Sequence, residues 1–82
     1  MRYFFHTENG QVVIDQTGVE LSDDTAARRE AVVFLAEMLR DHAVHLWSEE
    51  RFSVRIVDAG GRAIGEVTAS AAASPLDRTL RE

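Results

Sequence analysis

One uninterrupted apolar stripe limits this chain more than any other feature of its sequence. Ala27, Ala31, Phe34, Leu35, Met38, His42 and Leu46 recur at steps of three and four, the period of a helix that buries one side. Arg29, Glu30, Glu37, Arg40 and Asp41 fall on the opposite side, and no proline or glycine interrupts the run from Ser22 to about Trp47. Ser22, Asp23 or Asp24 can cap the free N–H groups at its start, and the acids suit the positive end of the dipole. At 1.5 Å per residue such a helix is about 37 Å long. That exceeds what a short sheet covers, so its last turns are expected to overhang or break near Ser48.

Both flanks of the helix read as β-hairpins. Arg2–Glu8 is rich in aromatics and runs into Asn9-Gly10, the dipeptide of a type I′ turn. Gln11–Asp15 is then the returning strand, Gly18 a turn, and Val19-Glu20-Leu21 the lead into the helix. After the helix, Phe52, Val54 and Ile56 alternate with Ser53 and Arg55, the pattern of a half-buried strand. Asp58-Ala59-Gly60-Gly61 is the second turn. The last strand runs from Arg62 to about Ser70, with Ala63, Gly65 and Val67 on one side and Ile64, Glu66 and Thr68 on the other. The expected fold is therefore α+β, ordered β-β-α-β-β: a four-stranded, mainly antiparallel sheet with one long helix on one face. Residues 1–70 form the domain. Residues 71–82 are a tail, in which Pro75 stops any strand and Leu76–Glu82 is expected to form at most a frayed helical turn.

Eighty-two residues allow one core and no second domain. Small domains supplement such a core with disulfides, metals or oligomerisation. The chain has no cysteine, which removes disulfides and cysteine-based zinc sites together. With one helix for two sheet faces, either Tyr3 and Phe5 or Phe4, His6 and Val13 are left on the open face, depending on register. Both sets are apolar, and Val33 and Val44 add apolar surface on the outer side of the helix. A homodimer through the open face or a sheet edge is the simplest cover. Tyr3, Phe4, Phe5, His6 and Val13 are accordingly the candidate interface residues. No apolar run reaches the length of a membrane span, and the opening residues lack the apolar region of a signal peptide. With the absence of cysteine, this sets the cytoplasm as the expected location.

The residues Arg2-Tyr3-Phe4-Phe5-His6, Gly10, Asp15-x-x-Gly18-x-Glu20-Leu21, Ala27-x-x-Glu30-Ala31 and Val57-Asp58 with Gly61 resemble a family of small bacterial, mostly alphaproteobacterial proteins. The resemblance covers residues 2–68. That family has no known function, so the resemblance implies a small stand-alone bacterial domain and carries over no site.

Candidate chemistry is sparse. His6, with His42 and His45 three residues apart on the helix, is the set from which a three-ligand zinc or nickel site could be built. There is no His-Glu-x-x-His pattern, and the plainer reading gives His6 to a strand face and His42 to the apolar stripe. Asp15, Glu20, Asp23 and Asp24 form an acidic cluster without the spacing of a calcium loop, and two of them are needed at the helix start. Gly60-Gly61 is not followed by the helix that a phosphate loop needs. No serine sits in a nucleophile elbow. No catalytic residue and no cofactor are expected, and the chain reads as a non-enzymatic, self-associating interaction or regulatory module. One alternative is a nucleic-acid-binding regulator using Arg51, Arg55 and Arg62, with Tyr3, Phe4, Phe5 and Phe52 as stacking surfaces. The net charge of −5, nine arginines against fourteen acids, works against phosphate backbones. The other alternative is a histidine-based metal-binding protein.

Overall fold

A computed structural model describes residues 1–73. The elements are β1 (Arg2–Glu8), β2 (Val12–Val13), β3 (Val19–Glu20), α1 (Asp24–Asp41), α2 (Ala43–Glu49), β4 (Arg51–Asp58) and β5 (Ala63–Ser70). The sheet runs in the order β2-β1-β4-β5, and β3 pairs with the start of β1 on the same side as β2. Every pairing among the described residues is antiparallel. The α+β class and the single covered face agree with the sequence. The expected tail from Ser74 onward lies outside the described residues.

The helix begins where its acids place it. Asp23 is the N-cap, its Oδ1 accepting from the Ala26 N–H at 2.8 Å. Ala27 and Ala31 are fully buried and let the helix backbone approach the sheet closely, while Leu35 and Met38 continue the buried stripe. From the sheet side, Tyr3 and Phe5 on β1, Phe52, Val54 and Ile56 on β4, and Ile64 on β5 complete the core. Phe34 meets Phe5 edge-on, with ring centroids 6.3 Å apart. Burying side chains of this size stabilises the fold by about 1.5–3 kcal/mol each before entropy is counted.

Four expectations need correction. The helix does not run through to Trp47. It breaks at His42 (φ −129°, ψ 37°), whose N–H still donates to the Met38 carbonyl. The bend re-aims α2 so that Leu46 still packs against the core, and His42 is exposed. The first turn is not type I′: Glu8 pairs with Val12, leaving a three-residue loop in which only Gly10 has a positive φ. The returning strand is not continuous either, so the sheet has five strands instead of four. Finally, Ile64 does not share a face with Glu66. A bulge where Val57 pairs with Ala63 but Ile56 with Gly65 turns Ile64 toward the helix, where it is buried.

Asp15 explains the interrupted strand. Its Oδ2 accepts from the Phe5 N–H at 3.0 Å, its Oδ1 accepts from Thr17 and Gly18 N–H at 3.0 and 3.1 Å, and its own N–H donates to His6 Nδ1 at 3.0 Å. The carboxylate thus stands in for the backbone carbonyl that a regular strand would offer to the middle of β1. The chain can then loop out between β2 and β3 without orphaning Phe5. Gly18 closes this loop at φ 77°, where an added Cβ would lie 2.9 Å from the Phe4 ring and 3.0 Å from the Tyr3 carbonyl oxygen. Partial burial works to raise the Asp15 pKa, but the N–H donors of Phe5, Gly18 and Thr17 outweigh it and hold the carboxyl below its usual range.

Candidate functional site

The register settles which aromatics face outward. Tyr3 and Phe5 point at the helix and are 1% and 3% exposed. Phe4 and His6 lie on the open face, opposite Val57 and Arg55, and Phe4 is half-covered by the Gly18 loop. Val13 pairs with Thr7, which itself pairs with buried Val54, so Val13 projects toward the helix layer at the sheet's edge. Of the five candidate interface residues, only Phe4 and His6 share the open face. A run of three exposed apolar residues lies at the sheet edge: Val12, Val13 and Ile14 are 66%, 52% and 57% exposed. They lie on the edge strand β2 and the residue after it.

Across the open face, His6, Arg55 and Glu66 form one row over β1, β4 and β5. Glu8, Ser53 and Thr68 form the next. Val12 pairs with Glu8 and so projects on this side too. His6, Glu8, Ser53, Arg55 and Glu66 shape a shallow groove of about 230 Å³, with Val12 and Ile14 as its apolar wall. Arg55 approaches Glu66 only to 4.0 Å, with both side chains about half exposed, so the ion pair is loose and contributes little.

The other sequence candidates are dispersed. His42 and His45 sit together near the α1–α2 break, ring centroids 5.9 Å apart, in a depression with Asn9, Gly10, Gln11 and Glu49. His6 lies apart from them on the open face, held by Asp15. Among the described residues no group of three or more His, Cys, Asp or Glu is placed to hold a metal ion. Of the arginines, Arg51 opens β4 and Arg62 lies beyond its far end, a strand length of about 25 Å away. Arg55 lies between them on the open face, so the three do not form one patch. The acidic cluster is also divided among separate tasks. Asp15 staples β1, Glu20 pairs with the Met1 amino group at 3.1 Å and Arg2 at 3.5 Å, and Asp23 caps α1.

Asp24 belongs to a network that the sequence did not suggest. The Tyr3 hydroxyl donates to its Oδ1 at 2.7 Å and Arg62 Nη2 to its Oδ2 at 3.3 Å, while Arg62 Nε donates to Asp58 Oδ2 at 3.2 Å. Asp58 Oδ1 in turn accepts from the Gly60 and Arg62 N–H groups, closing the β4–β5 turn. The hydrogen bond to Asp24, then burial, pushes the Tyr3 phenol up to about 12. The same bond from Tyr3, opposed by burial and joined by Arg62, lowers the Asp24 carboxyl. Asp58 is lowered mainly by the Arg62 N–H, against burial and with help from Gly60. Arg62 is held more firmly protonated by its bond to Asp24 and the charge of Asp58. The network ties β1, the start of α1 and the β4–β5 turn together.

No helix among the described residues is long and apolar enough to cross a membrane. Fold and surface together define a two-layer α+β domain with one helix, an open antiparallel sheet face and an apolar sheet edge. Over residues 2–70 the chain matches a family described as a domain of unknown function, DUF6894, and it belongs to that family. No curated protein and no solved structure matches it.

Proposed function

We propose that this domain is a non-enzymatic interaction module that self-associates through its β2 edge, two copies pairing about a two-fold axis. The observation that carries the reading is the run Val12-Val13-Ile14, three branched apolar residues exposed along an edge with no charge among them. Exposed edges of this kind are templates for further strand pairing unless they are blunted. The opposite edge is blunted: Arg28 Nε reaches across to donate to the Ile64 carbonyl at 2.9 Å, and Glu66 adds a charge. Burying the exposed part of each β2-edge side chain is worth about 1 kcal/mol, so about 6 kcal/mol for two protomers. The cost of association begins at about 4 kcal/mol. The dimer is therefore weak and depends on concentration.

Light scattering on the full chain over a wide concentration range tests this directly. The mass should rise toward twice the monomer value, and Val13→Lys should hold it at the monomer value with the fold intact. A wild-type chain that stays monomeric throughout, or a Val13→Lys chain that dimerises equally well, overturns the proposal.

A further inference from the structure

We infer that the groove on the open sheet face is a binding site for a free α-amino acid with a branched apolar side chain. The groove shares Val12 and Ile14 with the proposed self-association edge, so ligand and partner compete for these two side chains. The titration that tests the site is therefore run on the Val13→Lys chain, whose changed residue faces the helix layer, as well as on the wild type.

The floor contains a polar group with nothing to do inside the protein. Ser53 is only 6% exposed, yet its side chain lines the groove and its hydroxyl takes part in none of the hydrogen bonds among the described residues. No fully sequestered side-chain oxygen or nitrogen there lacks a partner, so this hydroxyl must open into the groove. A buried polar side chain is normally bonded within the fold, and one turned to a concavity is available to a ligand.

Two further donors flank it. His6 accepts from the Asp15 N–H at Nδ1, which leaves the ring's proton on Nε2, free of that bond. Arg55 is the direct cross-strand partner of His6, and its loose 4.0 Å contact with Glu66 leaves guanidinium N–H groups unused. Imidazole, guanidinium and hydroxyl together suit a carboxylate. Acceptors lie on either side in the carboxylates of Glu8 and Glu66, which suit an ammonium group. The groove therefore offers one cation and two anions. A purely anionic ligand would meet two carboxylates, and a purely cationic one would leave the three donors unmatched. A zwitterion uses both sets.

Size and the apolar wall narrow the class. A concavity of about 230 Å³, open to solvent on one side, has room for a ligand the size of one amino acid. Val12 and Ile14 form an aliphatic wall that suits a branched aliphatic side chain.

The test is an amide NMR titration of the isotope-labelled full chain with L-leucine up to tens of millimolar. Saturable shifts should be confined to the rows containing His6, Ser53, Arg55 and Glu66 and to Val12 and Ile14. Leucinamide, which keeps only the cation, and isocaproate, which keeps only the anion, should each bind roughly tenfold more weakly or worse. Arg55→Gln and Glu66→Gln alter exposed side chains, and retained amide dispersion verifies their folds. Each should weaken leucine binding by a similar factor. Absence of saturable shifts overturns the inference. So does equal binding of either singly charged analogue, or leucine affinity unchanged in both variants.

Discussion

Replacing Asp15 with alanine tests the most unusual element of the fold, a side chain that substitutes for a strand. The substitution removes the acceptor of three backbone N–H groups. A hydrogen bond to a charged group is worth about 1.5–3 kcal/mol net, but not all three count equally. The Thr17 N–H is exposed and Gly18 lies in the outer loop, so water replaces much of what they lose. The Phe5 N–H, in the middle of β1 and partly buried, bears the full cost of going unpaired. The expected loss is about 2–3 kcal/mol, a large share of the total for a domain this size. In melting temperature it is about 10–20 °C. Asp15→Asn should lose nearly as much, because one of the two accepting oxygens becomes a donor facing N–H groups. Native-state hydrogen exchange gives the local readout: Phe5 and β3 should exchange faster while the β4–β5 ladder keeps its protection. The pH dependence follows from the folded carboxyl lying below the ordinary aspartate value of 3.8. Its contribution is present above the unfolded pKa and is lost as pH falls through the folded one, so wild type and Asp15→Asn should converge in acid. A melting curve of Asp15→Ala within about 0.5 kcal/mol of wild type, with Phe5 exchange unchanged, would refute the staple.

Other consequences follow from single residues. Tyr3 is the chain's one tyrosine, so its phenolate absorbance reports one site: the folded protein should titrate near 12, and Asp24→Asn should lower that value. Because the folded pKa is raised, the phenol's contribution is complete below about pH 10 and is lost as pH climbs toward 12, visible as falling chemical stability on that side. Phe52→Ala empties the fully buried centre of the sheet face and should cost about 3–5 kcal/mol in urea denaturation. Glu50 holds a left-handed φ of 72° between α2 and β4, so Glu50→Gly should leave stability unchanged or raise it by about 0.5 kcal/mol by the same measurement.

Elements carried by local signals were legible in the sequence. The helix start needed only Asp23 before an apolar stripe, and β4 needed only the alternation of Phe52, Val54 and Ile56. What failed to show had a common physical basis: a side chain or a bulge satisfying the backbone in place of regular pairing. Asp15 interrupts a strand without leaving any periodic trace, and the Ile64 bulge moves one residue across the sheet with only Gly65 beside it as a local sign. The His42 break comes with no proline or glycine between Asp24 and Glu49 to announce it. The candidate site suffered from register. Because strand side chains alternate, placing Tyr3 or Phe4 outward differs by one residue and exchanges the two faces. Only the pairing of Phe4 with Val57 and His6 with Arg55 decides it. Ser53 read as an outward polar residue of an alternating strand, and nothing local indicated that it lines a groove.

Self-association at the β2 edge is the central functional claim, and concentration-dependent hydrogen exchange measures it at the residues concerned. In concentrated solution the amides of Gln11–Ile14 should exchange more slowly than in dilute solution, while β5 amides on the opposite edge stay the same. Protection that does not change with concentration, or that appears along Ala63–Ser70 instead, would contradict the proposed edge.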